Sequence, residues 1–294
     1  MPAPTFTIVI PTHGRPEKLG RCLGHLAQLA RPRDDFEVVV VDDGSPMELD
    51  GTVRPLERTL DVRLVRQAQA GPGAARNHGA RIARGRYLAF TDDDCGPRPG
   101  WLDALQGAHE ASPCAAVGGT VRNAADGNVF AAANAELLAF VTSYFHEHNS
   151  SLGFYTSNNL SVPRDRFLEI GGFNEANRRA AGEDRMFCHE WLGRGWPLVH
   201  APEAVVDHFH DQSLSGFLSM HYRYGRGARM FHLLNGVPAR DLSHAAGLRF
   251  YAGLLRWPFA REPLAPAART LGLMLLAQAT EAVGYGHEVL RPES

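Results

Sequence analysis

Three consecutive aspartates at positions 92–94 follow an apolar run, Tyr87–Phe90, that is typical of a buried β-strand. Adjacent carboxylates repel one another unless a cation neutralises them. If the segment is extended, the side chains of Asp92 and Asp94 point to the same side and can bind one ion. Oxygen ligands suit Mg²⁺ or Mn²⁺, which also accept phosphate oxygens. The segment therefore predicts a divalent metal site, with a solvated turn as the alternative.

Other ligand-binding motifs fit the chain poorly. An EF-hand loop over the same aspartates would have Pro97 where its sharp turn needs glycine, and Asp103 where it needs glutamate. The segment Gly71–Arg76 has arginine where a dinucleotide-binding fingerprint has its third glycine. No phosphate-binding P-loop motif occurs in the sequence. These observations exclude the NAD-binding and P-loop kinase classes.

Further acidic residues lie where another strand is expected to end and where a helix is expected to begin. Asp42 and Asp43 follow the apolar run Phe36–Val41, where a carboxylate can accept hydrogen bonds from a ribose or a base edge. The alternative for this pair is an Asx-turn. Glu183 and Asp184 stand near the start of a predicted helix. A carboxylate there can act as a general base towards a hydroxyl group.

Strand and helix patterns alternate along the first two thirds of the chain, which favours a parallel, doubly wound α/β sheet. In such sheets ligands bind beyond the carboxyl ends of the strands, where the aspartates fall. The predicted strands are Phe6–Ile10, Phe36–Val41, Leu64–Val65, Tyr87–Thr91, Ala116–Val121, Thr156–Val162 and Leu198–His200. The predicted helices in this part are Arg15–Ala30, Ala74–Ala83 and Ala181–Leu192.

The sequence becomes helical from Ser213, and prolines at 258, 263 and 266 are expected to divide it into three helices. We expect a catalytic domain over 1–210 and a helical C-terminal appendage over 211–294. Arg223, Arg226 and Arg229 recur every third residue and predict a basic stripe. This stripe would cover a diphosphate, rest on anionic lipid, or form the solvated face of a packed helix. A membrane surface or a second copy of the chain is expected to contact this tail.

Composition limits the remaining possibilities. The chain has 294 residues, of which 44% are apolar and 21% charged, with a formal net charge of −2. These values favour a folded protein and give no reason to expect a nucleic-acid partner.

The four cysteines form no C-x-x-C pair, so neither a disulfide framework nor a structural zinc site is expected. The apolar run Leu271–Ala277 is too short to span a bilayer. We expect a cytoplasmic protein, with peripheral attachment to the inner face of the membrane left open.

The order and spacing of these motifs resemble those of family-2 glycosyltransferases with the GT-A fold, over residues 5–210. No single motif is specific to the family, but several motifs in the family's order together are specific. The segments that carry the resemblance are Thr7–Thr12 with Arg15, Asp42–Ser45, Gly71–Asn77, Asp92–Asp94, Asn158–Ser161 with Gly171–Phe173, Glu183–Arg185, and His208. The resemblance implies a Rossmann-like, mostly parallel twisted sheet flanked by helices.

The resemblance also implies a role for each matching residue. The residues expected to contact the donor are Pro11, Thr12, Arg15, Asp42, Asp43, Arg76, Asp92 and Asp93. The metal ligands would be Asp94, Asp92 and His208, and the acceptor side would include Asn158 and Asn159. Asp184 would be the catalytic base, with Glu183 as the alternative.

The implied activity is that of an inverting hexosyltransferase. It would transfer a sugar from a nucleoside diphosphate, UDP by preference, to a hydroxyl group of a glycan, lipid or peptide, with Mn²⁺ or Mg²⁺ as cofactor. A single displacement by the acceptor inverts the anomeric centre. Two alternatives remain open at this point: a sugar-phosphate nucleotidyltransferase, and a non-catalytic module that binds nucleotide sugars.

Overall fold

The computed structural model describes residues 3–148, 152–175, 182–236 and 247–290. Its strands are β1 (Phe6–Thr12), β2 (Phe36–Asp42), β3 (Val62–Arg66), β4 (Tyr87–Phe90), β5 (Cys95–Pro97), β6 (Ala116–Asn123), β7 (Leu160–Pro163) and β8 (Leu198–His208). They form one sheet in the order β3-β2-β1-β4-β7-β6-β8-β5.

The first half of the sheet is parallel, as predicted. β1 pairs with β2 and β4, and β2 pairs with β3. Every residue of β1 and β2 is buried, which explains their continuous apolar runs, because helices cover both faces of a parallel sheet. The register sets Thr12 beside Asp42, so the carboxyl ends of these two strands lie at the same edge.

The second half of the sheet is mixed. β7 runs antiparallel to β4 and β6, and β5 runs antiparallel to β8, whereas β6 and β8 are parallel. The predicted strand Leu198–His200 continues to His208. The predicted strand Thr156–Val162 is shorter, because Ser157–Asn159 forms a 3-10 turn before β7 begins. The sheet is thus the predicted α/β, mostly parallel arrangement with helices on its faces.

The chain divides into two compact units, the first comprising residues 1–124, 153–178 and 184–209 and the second residues 125–152, 179–183 and 210–294. The helices associated with the sheet are α1 (Pro16–Leu26), α2 (Asp50–Val53), α3 (Pro72–Ile82), α4 (Trp101–Ala111), α6 (Arg164–Glu169) and α7 (Glu183–Gly193). The remaining helices are α5 (Val129–His148), α8 (Leu214–Asn235), α9 (Gly247–Arg256) and α10 (Leu264–Val289).

The second unit has its own apolar core. The buried side chains of this core are Leu137, Phe140, Phe217, Phe250, Leu254, Met274 and Ala277. Because α5 supplies two of them, the unit contains more of the chain than the predicted tail, and the division at residue 210 stays a proposal. Pro266 lies in the first turn of α10 and does not break it, since the first amides of a helix lack intrahelical acceptors.

Helices α8 and α10 approach each other closely at two glycines. A methyl group added at Gly225 would lie 1.9 Å from the Glu281 carbonyl oxygen, and one at Gly284 would lie 2.1 Å from that of Tyr222. The predicted arginine stripe is divided by this packing. Arg223 is exposed, whereas the side chain of Arg226 is only 15% exposed and pairs with Glu288 at 2.7 Å. The three arginines therefore do not form one solvated face.

Hydropathy along the helices of the described ranges identifies no segment that is both long and apolar enough to cross a membrane.

Candidate active site

The three aspartates after β4 lie in a tight turn. The backbone N–H of Cys95 donates to the Asp92 carbonyl oxygen at 3.0 Å, which closes the turn before β5 starts. The expected alternation of an extended segment is therefore absent from this described stretch, and the three side chains have different partners. Asp92 is not among the clustered ligand groups described below, so its sharing of a metal ion with Asp94 stays a prediction.

Asp92 forms an ion pair with Arg76 of α3. The Arg76 side chain is 3% exposed, and its guanidinium carbon lies 5.8 Å from the centre of the Phe173 ring. A buried guanidinium needs an anionic partner, and Asp92 provides it here. Both residues were predicted to face the donor, and the structure brings them together.

Asp93 is completely buried and holds the loop that follows β1. Its carboxylate accepts a hydrogen bond from the Thr12 hydroxyl at 2.6 Å and an ion pair from Arg15 at 2.7 Å. Burial raises the pKa of Asp93 to about 6, although Arg15 and Thr12 act in the opposite direction. Pro11, beside Val41 in the sheet, precedes the same loop. The structure gives Asp93 and Thr12 an anchoring position, which differs from the predicted donor contact.

Asp94 is surrounded by three basic side chains. Its Oδ2 atom lies 3.3 Å from Arg15 and 3.1 Å from Lys18 Nζ, and its Oδ1 atom lies 3.3 Å from His208 Nε2. Lys18 was not among the residues predicted for the site. Its position three residues after Arg15, on the same face of a predicted helix, was the signal that could have found it.

The pairing of β5 with β8 brings His208 to Asp94. Cys95 is the register partner of His208, and the Phe209 N–H donates to the Asp94 carbonyl oxygen at 2.9 Å. Ligand atoms of Asp94, Cys95 and His208 consequently lie within 4.8 Å of one another. Burial, followed by the charges of Asp92 and Asp94, raises the pKa of the Cys95 thiol, so this group stays protonated.

The pair of Asp94 and His208 fits a divalent ion. Two ligands at right angles on an ion with bonds of about 2.1 Å are about 3 Å apart. The observed separation of 3.3 Å between Asp94 Oδ1 and His208 Nε2 is close to that spacing. A carboxylate with an imidazole is a ligand set that Mn²⁺ or Mg²⁺ accepts, with phosphate or water oxygens completing the shell. A protonated thiol is a poor ligand, so Cys95 is not expected to take part.

The two aspartates at the end of β2 accept hydrogen bonds mainly from groups in nearby loops. Asp43 accepts hydrogen bonds from the backbone N–H groups of Ala70 and Gly71 and from the Gln67 amide, each at 2.8 Å. Asp42 accepts one from the Ser45 N–H at 2.8 Å, so it caps its own loop from three residues away. These carboxylates hold the loops on either side of the predicted nucleotide position.

Asp184 lies in the first turn of α7, directly after Glu183, and is partly buried. The Ser157 N–H points to Asp184 Oδ2 at 3.4 Å, so the predicted base and the predicted acceptor segment are neighbours. Asn158 accepts a hydrogen bond from Thr156 and is 8% exposed.

Asn159 has a structural role that differs from the predicted acceptor contact. Its oxygen accepts from the Trp101 indole at 2.8 Å, and its amide nitrogen donates to the carbonyl oxygens of Thr120 and Ala204. Only 1% of the residue is exposed. The amide thus joins α4, β6 and β8, and its contact with an acceptor stays a prediction.

The sequence profile described as glycosyl transferase family 2 matches residues 7–181, more than half of the chain. The chain belongs to glycosyl transferase family 2. Among characterised members of this family it is 26% identical to glycosyltransferase AglE of Haloferax volcanii over 87% of the chain and 83% of that protein. It is 30% identical to validoxylamine A glucosyltransferase of Streptomyces hygroscopicus subsp. jinggangensis over 68% of the chain, and spans 54% of that protein.

Two solved structures share the fold. The mannosyltransferase PcManGT from Pyrobaculum calidifontis, solved with GDP-Man and Mn²⁺, superposes with a TM-score of 0.70 at 18% identity, over 100% of this chain and 89% of the other. Staphylococcus aureus TarS 1–349 with UDP-GlcNAc superposes with a TM-score of 0.53 at 16% identity, over 96% of this chain and 89% of the other. These similarities confirm the predicted GT-A fold, and the chain is a family-2 glycosyltransferase.

Proposed function

We propose that this glycosyltransferase moves a sugar from a UDP-sugar to an acceptor hydroxyl group with inversion at the anomeric carbon, and that it requires a divalent ion. The observation that supports this most is the meeting of Asp94 Oδ1 and His208 Nε2 at 3.3 Å beyond the end of β4. Two residues far apart in sequence converge there, and the structural neighbour PcManGT was solved in complex with GDP-Man and Mn²⁺.

Asp94 and His208 would hold the ion, Mn²⁺ or Mg²⁺, and phosphate oxygens of the donor would complete its ligands. When bound, such an ion stabilises the negative charge of a departing diphosphate. Arg15 pairs with both Asp93 and Asp94, and its side chain is 43% exposed, so it can reach a phosphate without leaving the site. Arg76, fixed by Asp92, adds a second guanidinium at the same edge.

Asp42 and Asp43 would position the nucleoside through the loops that they hold. One structural neighbour was solved with UDP-GlcNAc and another with GDP-Man, so the fold accommodates more than one base. The proposal of UDP rests on the resemblance of Asp42–Ser45 to the family's nucleotide-binding motif. An activity assay with a panel of donors and acceptors would identify the transferred sugar and decide among glycan, lipid and peptide acceptors.

Asp184 would accept the proton of the attacking hydroxyl group. Its carboxylate lies beside Ser157, which directly precedes the segment Asn158–Ser161 expected to line the acceptor side. A base on the acceptor side and a cation at the departing diphosphate would fit a single displacement, in which the acceptor oxygen bonds to the anomeric carbon as the bond to the diphosphate oxygen breaks, with inversion. We further propose that catalysis belongs to residues 1–210 and that 211–294 form an appendage to it.

The test compares Asp184→Asn with Asp94→Asn, using Glu183→Gln as the matched control for Asp184. Asp184→Asn should lower turnover by about 10²–10⁴-fold and leave Mn²⁺-dependent UDP affinity near that of the wild type. Asp94→Asn should weaken UDP binding and abolish its sensitivity to a chelator. Calorimetry of UDP binding with Mn²⁺ and with excess chelator, together with donor hydrolysis over a panel of nucleotide sugars, measures both quantities.

Each part of the proposal has an outcome that rejects it. UDP binding that is equal with and without chelator would show that a metal ion does not take part in donor binding. Full activity in Asp184→Asn together with loss of activity in Glu183→Gln would assign the catalytic base to Glu183 instead. Tight donor binding without transfer or hydrolysis of any donor would indicate a non-catalytic binding module.

A further inference from the structure

Helix α9 of the second unit has two apolar faces. Phe250 and Leu254 are buried in the core of that unit, where the Phe250 ring lies 5.0 Å from the Phe140 ring. Leu248, Tyr251 and Leu255 recur at spacings of three and four residues and are 93%, 44% and 45% exposed. A helix with one apolar face in its own core and a second one facing outward has surface to bury against something else.

The outward face continues past the end of α9. Phe259, in the 3-10 turn Pro258–Ala260, is 42% exposed, and Leu264 at the start of α10 is 77% exposed. We define these five exposed side chains, together with the arginines described next, as the basic–apolar patch.

Exposed arginines are interspersed with these apolar side chains. Arg249 and Arg256 directly follow Leu248 and Leu255, and Arg261 and Arg269 flank Leu264. All four arginines are exposed. The patch therefore combines apolar side chains of intermediate and large size with positive charge, which is the composition of helices that lie in a membrane interface.

Acidic side chains do not offset this charge. Residues 247–290 are described without a gap and contain three glutamates, each partly buried and bonded. Glu262 accepts a hydrogen bond from Thr270, Glu281 pairs with His221, and Glu288 pairs with Arg226. The patch as defined thus contains four arginines and no carboxylate, and Glu136 of α5, which lies beside it, accepts a hydrogen bond from the Trp257 indole at 2.9 Å.

We propose that the basic–apolar patch binds the surface of an anionic lipid bilayer, with the apolar side chains in the interface and the arginines at the headgroups. The charge of the patch selects this occupant over a second copy of the chain. A symmetric dimer through the patch would bring arginines against arginines, with no exposed carboxylate in 247–290 to pair with them. Anionic headgroups provide the complementary charge.

The test is sedimentation of the full chain with vesicles made of equal parts phosphatidylcholine and phosphatidylglycerol, compared with pure phosphatidylcholine vesicles. Binding should be confined to the anionic vesicles and should weaken steeply with added salt. The variant R249Q/R256Q should bind about fivefold more weakly for each arginine removed. L248E/L255E should lose binding, because it places charge on the face that enters the interface.

The matched control is R54Q/R58Q, which removes two exposed arginines from the first unit and should bind like the wild type. Equal sedimentation with neutral vesicles, or anionic binding that neither patch variant changes, would overturn the proposal. So would a wild-type chain that ignores vesicles but forms a dimer that L248E/L255E dissociates, which would make the patch a self-association surface. Because the salt and lipid dependence is measured on the wild type, a poorly folding variant does not remove the test.

Discussion

Asp43 and Asp94 follow β2 and β4, the strands on either side of β1, yet their carboxylates have different kinds of partner. Asp43 is held by two backbone N–H groups and an amide, all neutral donors fixed by the fold. Asp94 is held by Arg15, Lys18 and His208, whose side chains are 43%, 33% and 23% exposed. Partly exposed charged side chains can exchange one partner for another, whereas backbone amides cannot. Asp43 is therefore suited to holding a loop, and Asp94 to receiving a ligand.

The largest expected effect is the loss of stability when the Asp43 side chain is removed. Asp43→Ala leaves two partly buried N–H groups and the Gln67 amide without this acceptor and should lower the free energy of unfolding by about 3 kcal/mol. Asp94→Ala should lower it by about 1 kcal/mol or less, because Arg15 keeps its pair with Asp93 and Lys18 can turn to water. Urea unfolding of both variants measures the difference. Equal losses in the two variants would break the comparison.

A smaller effect is expected at His109, which is a buried group without a carboxylate partner. It donates to or accepts from the Ser161 hydroxyl at 2.8 Å and stacks on Tyr87. Burial, followed by the charge of Arg86, lowers the pKa of His109 to about 4. The unfolded chain takes up the proton first, so the stability is complete above about pH 6.5 and is lost as the pH falls towards 4.

At about pH 5 the loss attributable to His109 should be about 2 kcal/mol. The variant His109→Gln keeps a hydrogen-bonding group for Ser161 but does not titrate. Urea unfolding at neutral pH and near pH 5 should therefore show a smaller decrease for the variant than for the wild type. The same decrease in both proteins would show that His109 does not cause the loss of stability at low pH.

The smallest expected effect concerns the exchange of partners at Asp94. Lys18 Nζ is 3.1 Å from Asp94 Oδ2, so it should compete with a divalent ion for that carboxylate. Lys18→Met should raise the affinity for Mn²⁺ in the absence of nucleotide by about fivefold, or about 1 kcal/mol. Titration calorimetry with Mn²⁺ measures this, with Arg54→Met as a control for charge. An unchanged or weaker affinity would show that Lys18 does not occupy the place of the ion.

Much of the first unit follows from sequence periodicity. Continuous apolar runs predicted β1 and β2, and the spacing of Leu19, Cys22 and Leu23 predicted α1, all of which the structure confirms. Rules for parallel sheets then predicted that the aspartates would share one edge. Such features depend on neighbours in sequence and on the geometry of regular elements, which is why local patterns suffice.

Features that depend on tertiary partners were missed. The turn at Asp92 is fixed by the pairing of β5 with β8, which begins more than a hundred residues later, so the extended geometry expected for the aspartates was wrong. Asn159 resembles an acceptor contact in sequence, but its amide joins three distant elements. Helix α5 escaped prediction because apolar residues occur on most of its sides, which hides the helical period.

The close crossing of α8 and α10 restricts how the second unit can change in evolution. Gly225 and Gly284 each face a backbone carbonyl of the opposite helix, so neither position can accept a larger residue by itself. Leu248 and Leu264 point outward, and their replacement disturbs no such crossing. Selection can therefore alter the outer face of this unit from one descendant to the next while the two glycines keep its helices together.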